Sequence, residues 1–486
     1  MWRQAHSYEL LPTSNEGLKD PFEKNESHFY TAALRKTWCL CRDTCCALVS
    51  GSSAGRKLGK VVLIFIPVVV LALVVLTALF NPSYVHRPPH YVGANPHNEK
   101  VFIAANIVDA GLIRGAWGEA LLHLIEQLGP ENTYLSIYEN DSGSDTREAL
   151  SELRQKVKCR STITSEHLPF ENIPKVELPS GEKRTKRIEY LATVRNRAIQ
   201  PLERVGKYTT FDKILFLNDV VFSPRDAADL LFSTNADSDG RAQYTAACAL
   251  DFINPFKFYD TFASRDFEGF SMGVPFYPWF APGKSRDQVL DGTDAVQVQS
   301  CWGGMVAFDA KWFQPPKSSG LPNGLDFQSS PGHAIYPNAE PPLRFRAEKE
   351  LYWESSECCL IHADIQAAAT NAGNFKGIYM NPFIRVAYDA HTHKLLETTR
   401  RFEKLYSGIH RLITSMAGLP KWNPRRAEMP GETVNHTTWS PSYHRFEDIE
   451  QVAAPGGFCG MPALQVLKKQ HKPGEKMWER LPIPSR

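Results

Sequence analysis

The segment Lys213-Ile-Leu-Phe-Leu-Asn-Asp-Val-Val-Phe222 sets a single carboxylate, Asp219, inside an otherwise nearly continuous apolar run. Burying a carboxylate is costly unless a cation or several hydrogen-bond donors compensate it. In an open α/β sheet ligands gather beyond the carboxyl ends of the strands. An acid at such an end, with Asn218 beside it, suits holding a divalent ion against a diphosphate. An Asp that caps the next turn is the competing reading, and Asp251, near the end of YTAACALDF, is the main rival for the same role.

Four further groups could carry chemistry. Positions 188, 191, 192, 195, 198, 199 and 202 trace one helical stripe, and Arg195 falls inside it. An arginine there needs an anion. A ligand phosphate would satisfy it bidentately with Asn196 adjacent, and an internal carboxylate would satisfy it structurally. In Ser300-Cys-Trp-Gly-Gly-Met-Val-Ala-Phe308, Gly303 and Gly304 let backbone approach a ligand, while Trp302 offers an aromatic face to a sugar. Most such glycine pairs are simple turns. Glu357, His362 and Asp364 fall within eight residues, combining a frequent metal ligand with candidate bases or electrostatic stabilisers. A buried, satisfied histidine is the plainer alternative. Residues 254–269 alternate aromatics with Asp260, Arg265, Asp266 and Glu268, a pattern suited to gripping sugars or to a packed loop with internal ion pairs.

Positioning these groups requires a sheet. From Val101 onward, runs resembling buried strands (VFIAANIVD, TYLSIYE, 213–222, 244–252 and 302–309) alternate with helical patterns at 115–128, 147–157 and 188–205. This alternation predicts βαβ units and an α/β fold with a mainly parallel sheet flanked by helices. Residues 253–350 are dense in Gly, Pro and aromatics, as expected of long ordered loops over a site.

Residues 61–80, VVLIFIPVVVLALVVLTALF, are uncharged and almost wholly apolar, long enough to cross a bilayer as a helix. Sixty residues precede them, which argues for a retained signal anchor and against a cleaved leader. Arg56, Lys57 and Lys60 lie just before the run and no charge falls in 81–85, so the short N-terminal part is expected in the cytosol and the large C-terminal part in the lumen. The expected division is a cytosolic tail (1–60), an anchor (61–80), a Pro-, His- and Asn-rich stem (81–100), a catalytic domain (101–425) and an extension of low regularity (426–486). Six of the ten cysteines follow the anchor and could form up to three disulfides, with the pairing left open. Asn140-Asp-Ser and Asn435-His-Thr are glycosylation sequons on that side. The net charge of +2, with no long basic stripe, argues against nucleic acid as a partner.

Taken in order, SIYEND followed by SDT, RIEYLATVRNRAIQPL, FLNDVVF, ALDF, YDTFASRDFEG, CWGGMVAF and SECCLIHADI resemble the fungal α-1,3-mannosyltransferases of the cryptococcal mannosyltransferase and capsule-associated protein type. The resemblance runs from about Val101 to about Ala368. It implies a GT-A-like, Rossmann-type donor half in a type II protein of the Golgi or another secretory membrane, using GDP-mannose with Mn²⁺ or Mg²⁺ and retaining the anomeric configuration. By the same resemblance Asn218-Asp219 corresponds to the Asp-x-Asp metal motif, with Leu217 in place of its first acid. Trp302-Gly303-Gly304 corresponds to the glycine loop near a glycan acceptor, Glu357 to the acid that steadies charge on the sugar, and His362 to a C-terminal metal ligand. Three alternatives remain at this stage: another nucleotide-sugar donor on the same fold, a catalytically silent lectin-like or scaffold subunit of a glycan-synthesis complex, or a lumenal glycosidase, for which the sequence places no matched carboxylate pair.

Overall fold

The computed structural model describes residues 53–315, 340–470 and 475–484, with side chains described from Phe65 onward. The expected cytosolic tail lies outside these residues apart from the start of a helix, α1 (Ser53–Phe80), which contains the whole apolar run. Its side chains are bared: Phe65, Ile66, Leu71, Leu76, Leu79 and Phe80 are each 53–77% exposed. Among the described residues no helix is long and apolar enough to cross a membrane. Positions 61–64 of the run lie outside the described side chains.

A nine-stranded sheet follows, in the order β3-β2-β1-β6-β10-β7-β12-β9-β8. Its strands are β1 (Val101–Asn106), β2 (Thr133–Asn140), β3 (Arg160–Glu166), β6 (Lys213–Leu217), β7 (Ala246–Phe252), β8 (Arg265–Asp266), β9 (Val296–Ser300), β10 (Met305–Asp309) and β12 (Ile378–Ala387). The ladders β3-β2-β1-β6 and β7-β12 are parallel, whereas β10 runs against β6 and β7, and β9 against β12 and β8. The α/β class and the largely parallel sheet are as expected. β1, β6 and β7 are buried along their whole length, which is why they read as unbroken apolar runs instead of alternating ones.

Helices cover the sheet: α2 (Ala110–Arg114), α3 (Ala116–Leu128), α4 (Ser144–Lys156), α5 (Arg187–Ile199), α6 (Pro201–Val205), α7 (Pro224–Ser233), α8 (Lys284–Asp291), α9 (Glu357–Asn371), α10 (Ala390–Thr399) and α11 (Ser407–Met416). Their starts follow local chemistry. Ser223 caps α7 by accepting from the Asp226 amide, with Pro224 in the first turn, and Ser356 caps α9 through the Cys358 amide.

Two stretches differ from expectation. Residues 81–100 form neither helix nor strand, yet they are packed down: Tyr84 and Tyr91 are buried, Ser83 N donates to Arg400 O at 2.9 Å, and Arg87 pairs with Asp226 and Asp229. They are no free tether. The C-terminal part is not of low regularity either. It forms the hairpin β13 (Thr433–Ser440) with β14 (Arg445–Val452) and the short strands β15 (Gly460–Pro462), β16 (Gln465–Leu467) and β17 (Trp478–Arg480). β15 pairs with β11 (Trp353–Ser355), and β16 pairs with β17. A small hairpin, β4 (Lys175–Glu177) with β5 (Lys183–Thr185), completes the strands. These segments are too short or too polar to show a period in the sequence.

Among the described residues two disulfides are formed, Cys248–Cys301 and Cys359–Cys459, the second tying α9 to the C-terminal part. Cys159 and Cys358 stay free. Asn140 is buried, and its amide nitrogen donates to the Tyr190 hydroxyl at 2.9 Å, so this sequon is closed to glycosylation in the folded chain. Asn435 is exposed on β13.

Candidate active site

The strand directions bring the ends of β1, β2, β6, β7 and β12, together with the start of β10, to one edge of the sheet. Asn218 and Asp219 leave β6 at this edge. The Asn218 amide donates to Gly304 O at 3.0 Å, and Val221 exchanges backbone hydrogen bonds with Ala387 at 2.7 and 3.1 Å. The segment carrying Asp219 is thus clamped between the glycine loop before β10 and the end of β12. Asp219 is half-buried, which suits a carboxylate facing a ligand.

Asn218 is buried and faces inward. Its side-chain oxygen accepts from the Trp302 indole at 3.1 Å and lies 3.5 Å from Arg195 Nη1, while its backbone oxygen accepts from the Trp117 indole at 2.9 Å. These contacts hold the backbone that carries Asp219.

Arg195 is 1% exposed, as its place on the α5 stripe requires. Its Nε donates to Glu357 Oε1 at 2.9 Å, and its guanidinium lies 4.3 Å from the Trp302 ring centroid. Arg195 is therefore neutralised by a protein carboxylate. This corrects the phosphate reading of Arg195, and it equally corrects Glu357 as a residue steadying the sugar, because that carboxylate is 1% exposed and committed to Arg195. Trp302 is fully buried, so it is no sugar platform; the face expected for a sugar lies against the guanidinium. Asn196 is also structural: its amide brackets Phe345, donating to its carbonyl at 2.8 Å and accepting from its amide at 2.9 Å.

Gly303 and Gly304 adopt left-handed backbone, with φ of 57° and 68°. A Cβ on Gly303 would stand 1.9 Å from Ala249 O, so the loop needs glycine to pack against β7. The close approach is to backbone of this chain.

His362 lies wholly in the core on α9. Its Nδ1 meets Cys358 O at 2.7 Å, its Nε2 lies 4.0 Å from Cys248 Sγ, and burial lowers its pKa to about 4. Among the described residues the group of three that could hold a metal by proximity is Cys248, Cys301 and His362. Both sulfurs are spent in the disulfide. In this environment His362 is a satisfied core histidine, which corrects its assignment as a ligand. Asp364 is likewise occupied, by a bidentate pair with Arg346 at 2.8 and 2.9 Å.

Behind Asp219 the edge holds a group that sequence reading only partly identified. Asp251 and Asp260 are fully buried, and Asp251 Oδ1 accepts from the Asp260 amide at 3.0 Å. Asp251 Oδ2 accepts from the Tyr388 hydroxyl at 2.9 Å, and Asp260 Oδ2 accepts from the Gly303 amide at 3.2 Å. Burial, reinforced by the neighbouring Asp260 charge, pushes the Asp251 carboxyl well above its ordinary range. Half-buried Tyr388 packs edge-on against half-buried Tyr259, with ring centroids 4.8 Å apart. Arg187, at the start of α5, is buried with its charge felt by Glu357 and Tyr259, and burial lowers its pKa. Tyr388 carried no local sequence signal, since it reaches Asp251 only through the fold. Most of the aromatic loop 254–269 is scaffold: Arg265 donates to the carbonyls of Phe262, Ser264, Phe458 and Cys459.

The family model described as cryptococcal mannosyltransferase 1 matches residues 100–364, which is more than half of the chain and spans β1 to α9. The chain belongs to this mannosyltransferase family. It is thus placed among glycosyltransferases, and the matched span contains Asp219, Asp251, Asp260, Gly303 and Glu357. No curated protein sequence matches it. Among solved structures, a mannosyltransferase from Pyrobaculum calidifontis in complex with GDP-mannose and Mn²⁺ aligns at 12% identity and a TM-score of 0.31, over 70% of this chain and 69% of its own. Mannosyl-3-phosphoglycerate synthase from Rubrobacter xylanophilus aligns at 12% and 0.30, over 78% and 95%. A mycobacterial protein aligns at 10% and 0.29, over 78% and 92%.

Proposed function

We propose that this mannosyltransferase-family chain moves mannose from GDP-mannose to a mannose-containing glycan with retention, forming an α-1,3 linkage. The observation that carries the reading is the placement of half-buried Asp219 at the carboxyl edge, clamped by Gly304 and Ala387 inside the family-matched span. A single carboxylate fits a Mg²⁺ or Mn²⁺ site, because such ions are commonly held by one or two protein carboxylates together with substrate phosphates. When bound there, the ion supplies charge neutralisation for the leaving diphosphate.

The chain's own residues then have distinct tasks. Asp219 would hold the ion. The Arg195–Glu357 pair and Trp302 fix Asn218 from beneath, so Asp219 enters the reaction already oriented. Tyr388, anchored on Asp251, and Tyr259 form the edge available to a sugar. In the reaction the bond from the mannosyl C1 to the diphosphate oxygen breaks as C1 bonds the acceptor hydroxyl on the same face. The hydroxyl proton passes to the leaving diphosphate, so the buried acids need not act as a strong base.

We also infer a type II, lumen-facing arrangement in a Golgi or other secretory membrane, with α1 as the anchor. The bared apolar side chains of α1, the basic residues Arg56, Lys57 and Lys60 just before its apolar run and two disulfides in the domain beyond it support this reading. A tag at residue 486 should resist protease in sealed microsomes while a tag at residue 1 is cleaved. The opposite pattern overturns the orientation.

The decisive assay incubates the purified full chain with Mn²⁺, a mannose oligosaccharide and, in parallel, GDP-mannose, GDP-fucose and UDP-sugars, followed by linkage analysis. Release of GDP from GDP-mannose with an α-1,3-linked product is expected. Turnover of a different donor refutes the substrate, and a folded chain that turns over none of them is a silent subunit.

A further inference from the structure

We propose that the catalytic domain lies flat on the bilayer surface, with α11 embedded in the headgroup region as a second membrane contact. This rests on the reading of α1 as an anchor and adds to it a defined membrane-facing side of the domain.

The end of α1 is joined to the domain with almost no slack. Asn81, one residue past the helix, accepts from Lys404 Nζ at 2.9 Å. Ser83 N donates to Arg400 O, the Ser83 hydroxyl donates to Glu403, and Arg400 Nη1 donates to Tyr84 O at 2.7 Å. Tyr84 is buried, with its hydroxyl donating to Val289 O at 2.9 Å. Residues 81–83 therefore span the gap, and three extended residues reach only about 10 Å. The surface carrying Arg400–Tyr406 must stay that close to the point where α1 leaves the membrane.

The element that starts on this surface is α11, directly after the turn Glu403–Tyr406. One side of it, His410 and Thr414, is buried, with His410 Nε2 against Val274 O at 3.1 Å and the Thr414 hydroxyl accepting from the Val274 amide at 3.3 Å. On the other side Ile409, Leu412 and Met416, spaced three and four apart, are 52%, 62% and 55% exposed. Soluble helices turn polar residues outward, and this one turns apolar residues outward. It contains no acidic residue, and Arg411 on the helix and Arg401 in the turn before it are exposed. Trp422, six residues beyond α11, is 79% exposed. An apolar stripe with flanking cations and a nearby tryptophan is the composition of a helix lying in a membrane interface. The adjacent end of α1 selects lipid over a protein partner as the occupant.

The test places a polarity-sensitive fluorescent amino acid at position 412, or as control at 208, in the full chain reconstituted into vesicles of phosphatidylcholine and phosphatidylserine. Both sites are open surface, at 62% and 87% exposure, so both labelled chains should fold. Doxyl-labelled lipids are expected to quench the label at 412 at least threefold more than the label at 208. Alkaline carbonate extraction of the same vesicles reads the anchor separately. A chain that resists extraction with equal quenching at the two sites refutes α11 docking and leaves the anchor standing. A blue-shifted label at 412 that lipid quenchers do not reach means that protein covers the helix, and also refutes it. Release of the chain by carbonate refutes the anchor, and this proposal with it.

Discussion

Breaking the Arg195–Glu357 pair tests whether this arginine is structural. Both side chains are almost fully buried, and Arg195 has a buried Nη2 with no hydrogen-bond partner, so its compensation is concentrated on Glu357. Glu357→Gln keeps the shape and removes the charge, leaving a guanidinium in the core beside Trp302, Phe216 and Phe345. Loss of one partner from a buried pair costs about 3–5 kcal/mol. With an unfolding entropy of about 2.1 cal/mol/K per residue, a domain of roughly 400 residues changes by ~0.8 kcal/mol/K, so Tm should fall by about 4–6 °C. Arg195→Met should cost a similar amount, and the double variant should lose less than the sum, since no unpaired charge remains. The assay is thermal unfolding of the four proteins in one detergent, with GDP-mannose affinity measured on the folded fraction of each. An unchanged Tm with weakened donor binding in Arg195→Met would refute the structural assignment and return Arg195 to the phosphate.

Asp219→Ala should lower turnover by about two or more orders of magnitude, as several kcal/mol of charge stabilisation are lost, while Tm changes little; full turnover in excess chelator sinks the metal reading. His362 gives a pH signature. Its folded pKa of about 4 lies below the ordinary value of 6.5, so its contribution is intact above about pH 6.5 and is lost as pH falls from 6.5 toward 4, the range in which the unfolded chain takes up the proton ahead of the folded one. At pH 5 the loss is about 2 kcal/mol relative to neutral pH, and a His362→Met variant should show a correspondingly shallower fall in stability by denaturant titration. If the exposed sequon is used in a secretory host, Asn435→Gln should remove one glycan's worth of mass on a gel, whereas Asn140→Gln should leave glycan mass unchanged; a shift from Asn140→Gln would contradict its burial.

Much of the frame was legible in the residues themselves. Strands buried on both faces announce themselves as apolar runs, so β1, β6 and β7 could be found, and Asp219 stood out because an acid interrupts such a run. The α5 stripe was visible for the same reason, and periodicity alone put Arg195 inside the core. The ordered motifs from SIYEND to SECCLIHADI carried the family, which the match over residues 100–364 bears out.

What a buried polar group faces is another matter. A stripe says that Arg195 is inside, but only chain reversal through 162 residues brings Glu357 to it. His362 has the chemistry of a ligand, and only the packing of α9 against Phe308 and the Cys248–Cys301 disulfide makes it a core residue. Trp302 is an exposed-looking aromatic beside two glycines until the guanidinium lies over it. Tyr388 meets Asp251 because β12 runs parallel to β7, a pairing between strands more than a hundred residues apart. Local sequence sets burial and secondary structure, since both follow from the period of apolar residues. Partners of buried charges come from long-range strand order and helix packing, and those are decided only when the whole chain closes on its core.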